Sequence, residues 1–254
     1  MPSRSRVNGF TLVELMLAMA FVSMLLLAIA MTVMNIMHIY TKGLTMKAVN
    51  QAGREVVTDM KRTVGEGQVF TIASGADPVN SDYGRQSPFI LQDASGNFVS
   101  KGTDNSDSHG GRFCTGNYSY VWNTGRYVPA QVNHYADATK QLRLVRVEDG
   151  GGTYCSNPKK DIPDGATELL SEADLAVQNF HIEQLSSGLA SGQALYRFTI
   201  RLSSANPDAV IKAEDGGALT TLGECQPPSA DIGLEDFCSV NDFVFTVNVS
   251  SIGS

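Results

Sequence analysis

From residue 15 to residue 34 the chain reads LMLAMAFVSMLLLAIAMTVM, with only Ser23 and Thr32 as polar interruptions. As a helix, such a run rises about 30 Å, the thickness of a bilayer core. Both hydroxyls can bond back to carbonyls of their own helix, so neither opposes insertion. The apolar pattern then thins without stopping. From 35 to 64 there is no proline, and Val49, Ala52, Val56, Val57, Met60 and Val64 recur at helical spacing. Lys47, Arg54, Glu55, Asp59, Lys61 and Arg62 fall largely on the opposite face, so the pattern predicts an amphipathic helix with a stripe to bury. Gly43 and Gly53 are weak points where it could bend.

Past Gly65 the period changes from helical to two residues. LYRFTIRL puts Tyr196, Phe198, Ile200 and Leu202 on one side. DFVFTVNVS does the same with Phe243, Phe245, Val247 and Val249, and YSYVW aligns Tyr118, Tyr120 and Trp122. Each is the alternation of a strand with one buried face. LRLVRV and VQNFHIEQL read as strands with less regular alternation. Glycine- and Asp/Asn-rich stretches at 74–85, 101–111, 149–164 and 215–223 read as loops. The expectation is an α+β chain: an N-terminal segment 1–9, a long helix 10–64, and a β-rich head 65–254. The membrane-spanning part of the helix would be about 15–34 and its amphipathic part 35–64. An antiparallel sheet would pack on the second half of that helix.

The 254 residues are ample for a core, and a net charge of −7 without any Lys/Arg block argues against a nucleic-acid footprint on the monomer. Four cysteines, Cys114, Cys155, Cys225 and Cys238, allow three pairings. Sequence proximity favours Cys114–Cys155 and Cys225–Cys238. Free thiols or a zinc site are the alternatives, but there is no CxxC and the histidines lie far from the cysteine pairs. An even count behind a membrane segment fits disulfides in an oxidising compartment.

The residue that stands out is Glu14, a carboxylate at the mouth of the apolar run. A lone charge inside hydrocarbon costs several kcal/mol, about 3 by insertion scales. It follows Gly9-Phe10-Thr11-Leu12-Val13, and the preceding residues carry Arg4 and Arg6 but no acid. The arginines favour a cytoplasmic start, which leaves the head outside. A secretory signal would have its small residue after the apolar run, whereas Gly9 lies before it.

Residues 9–14 resemble the class III signal of type IV prepilins and pseudopilins, Gly-Phe-Thr-Leu-x-Glu, at every position. The resemblance implies cleavage after Gly9 by a prepilin peptidase and N-methylation of the new first residue, Phe10. It implies that Glu14 pairs with an N-terminal amine, its own or a neighbour's, and so fixes register as the subunit leaves the bilayer for a filament. In a low-dielectric setting that pair is favoured over either charge alone. The implied partners are other pilin or pseudopilin subunits, the peptidase, and a membrane assembly platform driven by a cytoplasmic ATPase. The head exceeds that of a small major pilin in size, which points to a minor subunit similar to the J-type minor pseudopilins of type II secretion. Major pilins usually carry a proline in the apolar half, and this chain has none there.

Other chemistry is sparse in the sequence. His38, His109, His134 and His181 are scattered without HExxH spacing, and no GxSxG or phosphate-binding glycine loop occurs, so no enzymatic role is expected. Asp104, Ser106 and Ser108 alternate as in a calcium loop but lack its glycine and closing glutamate. No cofactor is expected, with calcium the one to test. Tyr118, Tyr120 and Trp122 could line a ligand platform, although core packing is the default for such a stripe. The rival reading is a permanently membrane-anchored module whose head captures a surface ligand, a sugar or DNA.

Overall fold

The computed structural model describes residues 11–70, 72, 88–97, 108–125, 131–137, 139–150, 152–157, 159–170, 175–188, 192–204, 209–210, 224–225 and 238–250. The chain forms two compact units, Met1–Thr41 and Lys42–Ser254. One helix, α1 (Leu12–Gly65), contributes to both.

In the first unit α1 is apolar on every side and is covered by no other described residue. Its large side chains from Leu12 to Tyr40 are all exposed, Leu12 at 75% and Ile39 at 74% among them. An 18-residue window reaches a mean hydropathy of 2.5 with no part buried, so the helix has the length and apolarity to cross a membrane. The hydroxyls of Ser23 and Thr32 donate to the carbonyls of Met19 and Ala28 at 2.8 and 2.9 Å, and Thr41 does the same to Met37. These side chains are thereby satisfied within the helix.

In the second unit, α1 buries the stripe its pattern predicts. Val49, Ala52, Val56, Met60 and Val64 join the main core, with Val57 packed beside it. Asp59 departs from the expected outer face and is drawn toward the sheet. Gly53, a weak point in the helical pattern, is a contact point, because the ring of Phe243 occupies the space a Cβ would fill.

Five strands form one antiparallel sheet in sequential order: β1 (Phe89–Gln92), β2 (Gly110–Thr115), β3 (Tyr118–Asn123), β4 (Leu144–Glu148) and β5 (Thr167–Glu168). Three more form a second antiparallel sheet: β6 (Leu175–Gly188), β7 (Gln193–Ser204) and β8 (Val240–Ser250). A parallel bridge from Thr124 to Val177 links the end of β3 to the start of β6. The fold is therefore α+β, with the second half of α1 packed against antiparallel sheets.

The alternations land where the pattern puts them. Tyr196, Phe198, Ile200 and Leu202 are buried, and across the β7–β8 ladder Phe198 pairs with Phe245, their rings stacked 5.1 Å apart. Tyr120 and Trp122 are fully buried and Tyr118 half-buried, so the three are core rather than a ligand platform. The uneven pattern of VQNFHIEQL has a structural cause. Register shifts at Val177/Asn179 and Gln184/Ser186 interrupt the β6–β7 pairing.

The first sheet is buried on both faces. Phe113, Tyr120, Trp122 and Leu144 face α1 and the second sheet. Val121, Val145 and Val147 face outward, where Tyr135, Leu142, Tyr154 and Ile162 cover them. The stretch 149–164, expected as a loop, thus supplies a further packed layer and includes a short helical turn, α2 (Thr153–Ser156).

Candidate functional site

The N-terminal motif is the part of the sequence with the most specific chemistry. Gly9 and Phe10 lie outside the described residues. Thr11 and Glu14 form a reciprocal cap at the start of α1. The amide and hydroxyl of Thr11 both donate to Glu14 Oε2 at 2.9 Å, and the Glu14 amide reaches Thr11 Oγ1 at 3.3 Å. A capping box satisfies amides that the first helical turn leaves without partners, and a carboxylate there also suits the helix dipole. The Thr-x-x-Glu spacing was available in the sequence as a cap signal. It gives Glu14 a local partner in the single chain.

The head joins its four cysteines as Cys114–Cys155 and Cys225–Cys238, with Cα atoms 6.1 and 5.6 Å apart. The first pair holds α2 onto β2. Ser119 lies beside it, its hydroxyl 3.0 Å from Cys114 Sγ and donating to Asp149 Oδ2 at 2.8 Å.

Two polar clusters tie the layers together. In the first, Asp59 on α1 receives Arg146 from β4, together with the Tyr120 hydroxyl at 2.9 Å. Thr63 bonds the same tyrosine, and Arg146 lies over the Tyr118 ring at 5.1 Å. Burial raises the Tyr120 hydroxyl above its ordinary range, so it stays protonated as a donor.

In the second cluster Arg112, 1% exposed, projects into the outer layer. Its five N–H groups make five bonds. Nε and Nη2 share Asn133 Oδ1 at 2.9 and 2.7 Å, and Nη2 also reaches Lys160 O at 3.0 Å. Nη1 reaches Tyr154 O at 3.2 Å and Asn157 O at 3.0 Å. None of these acceptors is a carboxylate. Burial pulls the guanidinium down to about 10, which still leaves it charged at neutral pH. A fully occupied fork has no donor left for a ligand, so Arg112 holds the covering layer in place.

Near that layer Glu168 is a half-buried carboxylate that receives Tyr135 Oη and the Leu144 amide, each at 3.0 Å. Burial raises its pKa, with these hydrogen bonds opposing. Among the described residues no group of three or more His, Cys, Asp or Glu side chains is placed to hold a metal. Asp104 and Ser106 of the calcium-like stretch lie outside the described residues, while the Ser108 carbonyl accepts the Thr124 hydroxyl at 2.6 Å. The sequence singled out neither Arg112 nor Asp59. An arginine within the glycine-flanked GGRFCT was the one available hint of the former.

Comparison of the chain with protein-family models, with characterised proteins and with solved structures returned no match.

Proposed function

We propose that this chain is a structural subunit, of the minor kind, of a type IV pilus or pseudopilus-like filament. The observation that carries the reading is the run Gly9-Phe10-Thr11-Leu12-Val13-Glu14 set directly before an apolar helix whose large side chains, from Leu12 to Tyr40, are all exposed. A helix with that much uncovered apolar surface needs lipid or other apolar helices around it. Both serve in turn: the bilayer before assembly, and the filament core afterwards.

The chain is inserted with its start in the cytoplasm and its head outside, then cut after Gly9 and methylated on Phe10. The new ammonium meets Glu14, whose carboxylate the Thr11 cap holds at the first turn. The head presents the subunit's specific surface. An α+β head packed on the second half of α1 fits this role, and the work of extraction comes from a cytoplasmic ATPase acting through a membrane platform. On this reading the chain needs no cofactor and catalyses no reaction.

The capping geometry supplies a clean test. Glutamine also closes a capping box, so Glu14→Gln keeps the helix start and removes only the charge. The expected result is normal insertion with loss of assembly, while Gly9→Ser blocks processing. A permanently anchored receptor would tolerate both changes. Assembly of Glu14→Gln at wild-type levels would overturn the reading.

A further inference from the structure

Among the described residues the two sheets have four edges, and three of them are blunted. β1 has four residues and β5 has two, while β6 is broken by two register shifts and bridged by Thr124. Short strands, bulges and covering segments all keep an edge from templating another strand. β8 has none of these devices. It runs eleven residues, VNDFVFTVNVS, without lysine, proline or glycine. Its pairing with β7 is unbroken from Gln193↔Ser250 to Ser203↔Val240, and no described strand lies on its other side.

The ladder fixes which groups face the open side. The Ser204 amide donates to the Ser239 carbonyl at 3.0 Å, so these opposed residues form a hydrogen-bonded pair. Such pairs alternate along antiparallel strands, which turns the N–H and C=O of Asp242, Val244, Thr246 and Asn248 away from β7. The side chains of these four form the exposed face of β8, with Val244 60% exposed.

The flank of α1 borders this edge. Asn241 Nδ2 donates to Asn50 Oδ1 at 2.7 Å, Phe243 lies against Gly53, and Lys61 Nζ stands 5.8 Å from the Phe245 ring centroid. The helix therefore runs beside β8 in the same direction. Lys61 shares a row with Arg54 and Lys47, each seven residues from the next and all exposed. Among the described residues no carboxylate lies within ion-pair distance of any of the three.

We propose that the open edge of β8 is a docking site for an acidic, extended segment of a different protein chain, which joins the second sheet as a fourth strand. Main-chain bonds to residues 242–248 supply affinity, and alternate side chains supply selectivity. Acids on the helix side of the segment meet Arg54 and Lys61, and β-branched side chains on its other side lie next to Val244. The β8 of a second copy does not fit. Its helix-facing Phe243, Phe245, Val247 and Val249 are apolar, and its single acid, Asp242, is held by Arg201 at 2.7 Å.

The test uses the protein purified from native membranes in a non-ionic detergent. The probe is a fluorescein-labelled peptide, Thr-Glu-Val-Glu-Val-Glu-Val-Glu-Thr, read by fluorescence anisotropy. It should bind at least tenfold tighter than the same peptide with lysine at every glutamate. It should also bind at least tenfold tighter than the same peptide with proline at every valine, which keeps the charge but cannot extend a sheet. Thr246→Pro removes an amide hydrogen that faces away from β7, so the β7–β8 ladder keeps its bonds. That variant should lose at least tenfold in affinity for the acidic peptide, whereas Thr246→Val should match the wild type. Arg54→Gln/Lys61→Gln should abolish the preference for acid over lysine. Urea melts confirm that each variant is folded.

Undiminished binding by Thr246→Pro, or of the proline peptide, would reduce the site to surface charge and overturn the proposal. So would equal affinity for the acidic and lysine peptides, or no binding of the acidic peptide at 1 mM. A wild-type dimer in sedimentation velocity that Thr246→Pro dissociates would assign the edge to a second copy instead. None of these outcomes turns on where the mature chain begins, so the filament reading stands or falls separately.

Discussion

The ring of Phe243 on β8 rests directly against the backbone of Gly53 on α1, in the space a Cβ would take. Glycine costs about 1 kcal/mol in a helix interior relative to alanine, so propensity alone favours replacing it. Close approach of the sheet reverses the sign, because overpacking a core typically costs about 1–3 kcal/mol. Gly53→Ala should therefore lower stability in the wild-type background. In Phe243→Ala the overlap is gone, and the same change should gain about 1 kcal/mol. Urea denaturation of the four chains of this double-mutant cycle checks the change of sign.

Arg112 supports a second test. Its four acceptors lie in the layer over the first sheet, and replacing it leaves three main-chain carbonyls and the Asn133 amide oxygen without these donors. Each buried polar group so stranded costs about 1–3 kcal/mol. Arg112→Met should lower stability by roughly 3 kcal/mol or more on that basis, and Arg112→Lys should not restore it, since an ammonium cannot reproduce the fork. Hydrogen exchange should show 131–137 and 152–162 losing protection before the β6–β8 sheet does.

Glu168 gives the pH dependence. Burial holds its folded pKa above the ordinary 4.5, so the folded state binds its proton more tightly than the unfolded chain. Its ionised form costs stability above the raised value. That cost shrinks as the pH falls through the raised value and is gone below 4.5. The stability of the wild type relative to Glu168→Gln should therefore rise as the pH is lowered through this window, read from urea melts. The difference between the two chains cancels exposed carboxylates such as Asp137, whose pKa is lowered by bonds from the Thr139 hydroxyl and amide and whose contribution runs the other way.

What the chain's pattern reveals depends on how much of each element's environment is local. The apolar half of α1 and the alternating strands β7 and β8 are legible because one periodicity sets their buried face. β2 is not, since GGRFCT opens on two glycines. Gly110 and Gly111 are there because the Trp122 carbonyl and ring lie against them, a fact fixed by the partner strand. β6 is blurred by its two register shifts. The covering layer, built from residues on either side of β4 such as Tyr135, Tyr154 and Ile162, looks like loop because its organiser is one buried arginine reaching main-chain carbonyls, and carbonyls carry no sequence signature. At the N-terminus, the spacing of Thr11 and Glu14 is visible as a cap, and the proposed function would draw on the same carboxylate.

The account stands on what happens to the chain between Gly9 and Phe10. N-terminal and intact-mass spectrometry of the protein from its native membranes reads this directly. A mature chain that begins with N-methylated Phe10 is the expected result. An intact Met1, in cells with active prepilin peptidase, would contradict it.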